Sequence, residues 1–94
     1  MVRLIESSDM NIDRMYEIKA YCDGEGECEC TILEAKQFIK FLVSKYNGVL
    51  IDYNVEHGGR TDKFIIRADG IDYIIGIDIE GINPEGFIWT DKVR

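Results

Sequence analysis

Asp69-Gly70 stands between two runs of alternating apolar residues, Phe64, Ile66 and Ala68 before it and Ile71, Tyr73, Ile75 and Ile77 after it. Asp-Gly in that setting is the strongest short signal for a two-residue type I′ hairpin. The turn sets the partners on both arms: Ala68 faces Ile71, Ile66 faces Tyr73 and Phe64 faces Ile75. All three pairs are apolar, so turn and alternation agree. A one-residue slip would move the whole set to the other face. The chain is thereby committed to an antiparallel sheet with one buried face.

What covers that face is legible upstream. Thr31-Ile32-Leu33-Glu34 is a capping box, in which the threonine hydroxyl takes a backbone N–H near Glu34 and Glu34 reaches back. The spacing predicts a helix over about 32–46, with Ala35, Phe38, Ile39, Leu42 and Tyr46 as its apolar stripe. Glu34, Lys36, Gln37, Lys40 and Lys45 fall on the wet side, and Asn47-Gly48 is a normal helix stop. Val49, Ile51, Tyr53 and Val55 alternate as a strand that leads through His57-Gly58-Gly59-Arg60 into the hairpin. A last strand near 87–90 is expected to turn Phe87 and Trp89 to the core.

Ahead of the helix, Tyr16, Ile18, Ala20 and Cys22 alternate with polar residues, so residues 15–22 read as a strand. Asp23-Gly24-Glu25-Gly26 reads as a turn and 27–30 as a second short strand. That hairpin puts Cys22 opposite Cys28, within disulfide reach on oxidation. Residues 1–13, with Val2, Leu4 and Ile5, form an arm or an edge strand. The expected fold is α+β: one amphipathic helix packed on an antiparallel sheet of about five to six strands, in the order β-β-α-β-β-β-β.

With 94 residues the chain is one domain, 1–94. No run approaches a membrane span, and the N-terminus lacks the apolar core of a signal peptide. A cytoplasmic protein with reduced Cys22, Cys28 and Cys30 is the expectation. Eighteen acids against eleven bases give a net charge of −7. That surplus opposes binding to a nucleic-acid backbone and suits a basic protein partner.

Pairing Tyr53 with Ile66 would set Asp52 beside Arg67 and Glu56 beside Lys63, with Asp72 on Arg67's other flank. The sheet's outer face then carries paired charges around an apolar cluster of Ile65, Ile74 and Ile88. Such a cluster is either a partner or dimer surface or is plugged by Leu4 and Ile5 of the arm.

Residues 23–34 hold oxygen donors at positions 1, 3, 5, 7, 9 and 12 of a twelve-residue window before a helix. The stretch resembles an EF-hand calcium loop, which implies a calcium-responsive module. It departs from that pattern at Cys28, where the sharp turn needs glycine, and at Glu25 and Glu27, where shorter acids are usual. Without calcium, the same stretch is an acidic knob. The cysteines run C-x5-C-x-C, which reads as buried thiols rather than a zinc set. The single histidine, His57, is a solvated loop residue on this reading. No phosphate loop, nucleophile elbow or zinc-protease motif occurs.

A non-catalytic binding or inhibitor protein follows as the expectation, with no cofactor and no metal. It would occlude a macromolecular partner through Asp23, Glu25, Glu27, Glu29, Ile65, Ile74 and Ile88. In size and charge the chain resembles toxin-immunity proteins and phage-encoded inhibitors of bacterial defence, such as anti-CRISPR proteins. Self-association into a homodimer stays open. The alternative is an oligomeric sponge or sensor for an anionic nucleotide, held by Arg60, Lys63 and Arg67.

Overall fold

The computed structural model describes residues 10–79 and 85–92. In chain order it runs α1 (Ile12–Glu25), β1 (Glu27–Cys30), α2 (Ile32–Tyr46), β2 (Val49–Glu56), a 3-10 turn (His57–Gly59), β3 (Thr61–Ala68), β4 (Ile71–Asp78) and β5 (Glu85–Lys92). The five strands form one antiparallel sheet in the order β1-β5-β4-β3-β2. Both helices pack on the same face of it.

The β3–β4 hairpin has the expected register, with Ala68 opposite Ile71, Ile66 opposite Tyr73 and Phe64 opposite Ile75. Asp69 and Gly70 both have positive φ, 53° and 72°, as a type I′ turn requires. Helix α2 also has the expected bounds, and the capping box is formed. Asn47 ends the helix in the left-handed conformation.

Residues 15–22 are helical, not a strand. Asn11 caps α1 by accepting from the Arg14 N–H at 3.1 Å. Met15, Ile18 and Cys22 share one face and are fully buried. Gly26, at φ 85°, closes the helix by donating its N–H to the Cys22 carbonyl at 2.8 Å. Ile18 and Cys22 satisfy both a two-residue and a 3.6-residue period. Met15 fits only the helical one, and Tyr16, 46% exposed, only tolerates it. Residues 12 and 13 begin this helix, while Val2, Leu4 and Ile5 lie outside the described residues.

Because α1 is a helix, β1 pairs with β5 instead. The last strand is therefore internal, and its phase is the reverse of that expected. Ile88 sits opposite Ile75 and is fully buried, while Phe87 and Trp89 point to the outer face. Gly86 explains the phase. It lies under the first turn of α2, where there is no room for a side chain.

The core joins Met15, Ile18 and Cys22 of α1 to Ala35, Phe38, Phe41 and Leu42 of α2, over Ile66, Tyr73, Ile75 and Ile88 of the sheet. The buried stripe of α2 is rotated from the expected one. Phe41 is fully buried and Gln37 is 8% exposed, whereas Ile39 and Tyr46 are only partly covered. The second helix causes this, since Tyr16 of α1 meets Phe41 edge-on at 5.0 Å.

The β2–β3 register also differs. Tyr53 faces Phe64, because the turn closes at Glu56–Thr61, and Ile51 forms a bulge. Asp52 therefore faces Ile65 rather than Arg67. Glu56 opposes Thr61 yet still holds Lys63 at 3.1 Å.

Glu34 ties the two helices together. Its carboxylate accepts from the Thr31 N–H at 3.0 Å and from Arg14 Nε at 2.7 Å. The Thr31 bond first, then the Arg14 bond, hold this carboxyl below its ordinary 4.5. A group so lowered binds fewer protons folded than unfolded. Its contribution is complete above the ordinary value and is lost as pH falls through the folded one. Glu34→Gln is expected to cost about 1 kcal/mol at neutral pH. It should also flatten the loss of stability below about pH 4.5. Urea unfolding of both chains at neutral and acid pH checks this, and parallel pH curves would count against it.

Candidate partner-binding face

The hairpin register and the outward phase of β5 together build the outer face of the sheet. Across the strands Ile65 faces Ile74, Ile74 faces Trp89 and Trp89 faces Glu27. In the next row Lys63 faces Gly76, Gly76 faces Phe87 and Phe87 faces Glu29. The Phe87 and Trp89 rings stack, with centroids 5.5 Å apart and planes 16° apart. Gly76 gives them room, since a Cβ there would come within 3.3 Å of the Trp89 ring. Trp89 remains 39% exposed.

This aromatic pair is the common wall of two concavities. One, of about 380 Å³, lies on the sheet face beside Lys63, Glu56, Gly76 and Asp78. The other, of about 740 Å³, wraps the β1 edge towards Arg14, Glu17, Tyr21 and Cys28, with Glu27 and Glu29 at its rim. Five carboxylates and two cations line them together. Both cations are already engaged, Arg14 with Glu34 and Glu17, and Lys63 with Glu56. Further along the face, Arg67 grips Asp72 through two bonds of 2.7 and 3.1 Å. That guanidinium holds the Asp72 carboxyl below the usual carboxylate range. The surface is thus an aromatic centre with an acidic rim.

The residues expected at a site divide clearly. Glu27, Glu29, Ile65 and Ile74 lie on this face. Ile88 does not, being wholly inside the core, and Trp89 takes its place in the apolar row. Asp23 and Glu25 belong to the last turn of α1. Asp23 accepts from the Tyr73 phenol at 2.6 Å and from Lys19 at 2.8 Å, which is a structural use. Burial first, and then Asp23, push the Tyr73 hydroxyl above the tyrosine range. Arg60, Lys63 and Arg67 do not converge. Lys63 and Arg67 are four residues apart along β3, about 13 Å, and each has a carboxylate partner.

Residues 23–34 span a helix end, β1 and the start of α2 rather than one continuous loop between two helices. Among the described residues no group of three or more His, Cys, Asp or Glu is placed to hold a metal ion. Cys22 and Cys28 are neighbours through the packing of α1 on β1, not across a hairpin, and all three thiols are free. Burial pushes the Cys22 thiol above its ordinary range, and pushes Cys30 up to about 12. Such thiols are poor nucleophiles at neutral pH. The turn carrying His57 follows β2, at the opposite edge of the sheet from β1.

Phe87 and Trp89 were legible as large aromatics but not as surface residues. The signal that assigns them is glycine placement: Gly86 marks the close-packed phase of β5, and Gly76 accommodates the rings on the other. No family model, curated protein or solved structure matches the chain. No described helix is long and apolar enough to cross a membrane.

Proposed function

We propose that this protein is a non-catalytic binding protein that occludes a basic surface on a protein partner with the outer face of its sheet. The stacked Phe87–Trp89 pair carries the reading, because it stands half-open between two concavities under an acidic rim. Interface energy concentrates in such aromatic anchors, with surrounding residues excluding water. A partner arginine can stack on Trp89 while Glu27 or Glu29 takes its guanidinium. The net charge of −7 raises the encounter rate with a basic surface, and salt weakens that steering. Steering followed by docking on an apolar centre is how a toxin-immunity or anti-defence inhibitor would work. That analogy rests on size and charge.

The test is affinity capture on the immobilised chain, from lysates of candidate hosts, at low and raised salt. The wild type is expected to retain one basic protein stoichiometrically. Trp89→Ala, shown folded by circular dichroism, should bind it 10- to 100-fold more weakly, about 2 kcal/mol or more. Leu33→Ala, on the exposed side of α2, should bind it normally. Equal binding by Trp89→Ala and wild type would overturn the assignment of this face.

A further inference from the structure

β1 is an edge of the sheet, with no strand on its other side among the described residues. The Thr90 N–H donates to the Gly26 carbonyl at 2.9 Å. Hydrogen-bonded pairs alternate along an antiparallel ladder, so Cys28–Ile88 and Cys30–Gly86 carry the bonds between β1 and β5. The N–H and C=O groups of Glu27 and Glu29 therefore point away from β5. One of them, the Glu29 carbonyl, accepts from the Cys28 thiol at 3.3 Å, a weak donor. The cavity of about 740 Å³ lies against this edge, between α1 and the Phe87–Trp89 pair.

We propose that a protein partner lays an extended segment in this groove as a sixth strand, antiparallel to β1, with basic, apolar and basic residues in succession. This occupant presupposes the binding role proposed above and specifies the partner's basic surface as a strand. In strand addition the backbone bonds to an open edge supply affinity, and alternate side chains supply specificity.

Side-chain chemistry fixes the alternation. Glu27 and Glu29 stand on the outer face about 6.6 Å apart, which is the spacing of residues i and i+2 in any strand. Two basic residues set opposite them pair with both carboxylates. Trp89 lies on the other side of Glu27, so a guanidinium there also has an aromatic face to stack on. The residue between the two basic ones falls on the face of Cys28, against Ile18 and Tyr21, where an apolar side chain fits. Arg14, at the same cavity, is already held by Glu17 and Glu34.

The same carboxylates exclude a second copy. Antiparallel self-pairing centred on Glu27, Cys28 or Glu29 opposes glutamate with glutamate, which is destabilising. A short edge charged in this way rejects acidic strands and accepts a basic one. β1 is also regular. Its four residues pair with β5 in unbroken register, so an added strand meets no bulge.

Titration of the full chain with a blocked peptide, Gly-Thr-Arg-Val-Arg-Thr-Gly, tests the proposal, read by the fluorescence of Trp89, the single tryptophan. Saturable binding is expected, and exchanging both arginines for glutamate should abolish it. N-methylation of either arginine's backbone removes a bond to Glu27 or Glu29 and should weaken binding about tenfold. N-methylation of the valine, whose N–H faces away from β1, should change it less than about threefold. Glu29→Pro puts a ring where the outward N–H was, keeps the bonds to β5 and should weaken binding about tenfold or more. Glu29→Gln keeps that N–H and should cost only about threefold. No binding at millimolar peptide, equal effects of methylation at arginine and valine, or normal binding by a folded Glu29→Pro chain would overturn the strand addition. The methylated peptides use the unaltered chain, so they decide the matter even where Glu29→Pro does not fold. None of these results touches the capture test with Trp89→Ala, which requires a basic surface but no extended segment.

Discussion

Replacing Phe38 with alanine is expected to remove about 3–5 kcal/mol of stability. Phe38 is fully buried at the centre of α2's contact with the sheet. Its ring stacks near Phe41 at 5.9 Å and meets Tyr73 edge-on at 5.7 Å. Truncation removes the transfer energy of the ring and leaves a cavity between a helix and a sheet, which cannot close without moving one of them. A domain of this size has a total stability of about 5–15 kcal/mol, so the loss approaches the whole at the lower end. The melting temperature should fall by more than about 12 °C. Leu33→Ala, on the exposed side of the same helix, should stay within about 0.5 kcal/mol of wild type. Thermal and urea unfolding of the three chains measures the contrast. A loss below about 1.5 kcal/mol for Phe38→Ala would mean that α2 is not seated as described.

That experiment probes the part of the fold that was most legible. The Asp69-Gly70 hairpin and the capped helix over 32–46 were readable because each carries its own local signal, a turn dipeptide in one case and a capping box in the other. The alternating pattern at 15–22 was not decisive, because Ile18 and Cys22 satisfy two periods at once. Asn11 and Gly26, the residues that close α1, sit just outside the stretch whose pattern was ambiguous. Once that segment is a helix, several consequences follow that no local rule carries. The sheet loses one expected strand, β5 moves to the interior, and α2 turns Phe41 towards its new neighbour.

The candidate site was less legible for the same reason. The row Ile65–Ile74 followed directly from the hairpin register. Its third member did not, because Ile88 and Trp89 exchange faces with the phase of β5. Side-chain size favours burying Phe87 and Trp89, whereas the structure turns the row of Gly86, Ile88 and Thr90 inward instead. The competing requirement is close approach. α2 enters over β5 so tightly that only glycine fits at one position, and that position sets the parity of the strand. The bulge at Ile51 and the turn closing at Glu56–Thr61 likewise shift β2 without leaving a mark in its alternation.

Gly86 is accordingly the position where the smallest substitution should have an outsized effect. A Cβ there would come to 2.7 Å from Ala35 Cβ, 2.9 Å from the Thr31 carbonyl oxygen and 3.1 Å from Cys30 Sγ. The first two belong to the cap and first turn of α2, which cannot swing aside as a flexible side chain would. Relief requires lifting the start of α2 and straining its capping box and the Arg14–Glu34 bond. Gly86→Ala is expected to cost about 2–3 kcal/mol, and Gly86→Val more. In a double-mutant cycle, Ala35→Gly should lessen the cost of Gly86→Ala, since it removes the nearest atom, although Thr31 still blocks full recovery. Gly24→Ala supplies the opposite case. It lies in the last turn of α1 with nothing within 4 Å of the added carbon. There alanine should be neutral or stabilise by up to about 1 kcal/mol, through helix propensity and a less flexible unfolded chain. Urea unfolding of these variants separates space from backbone freedom. If Gly86→Ala behaved like Gly24→Ala, α2 would not approach β5 this closely, and the outward placement of Phe87 and Trp89 would lose its cause.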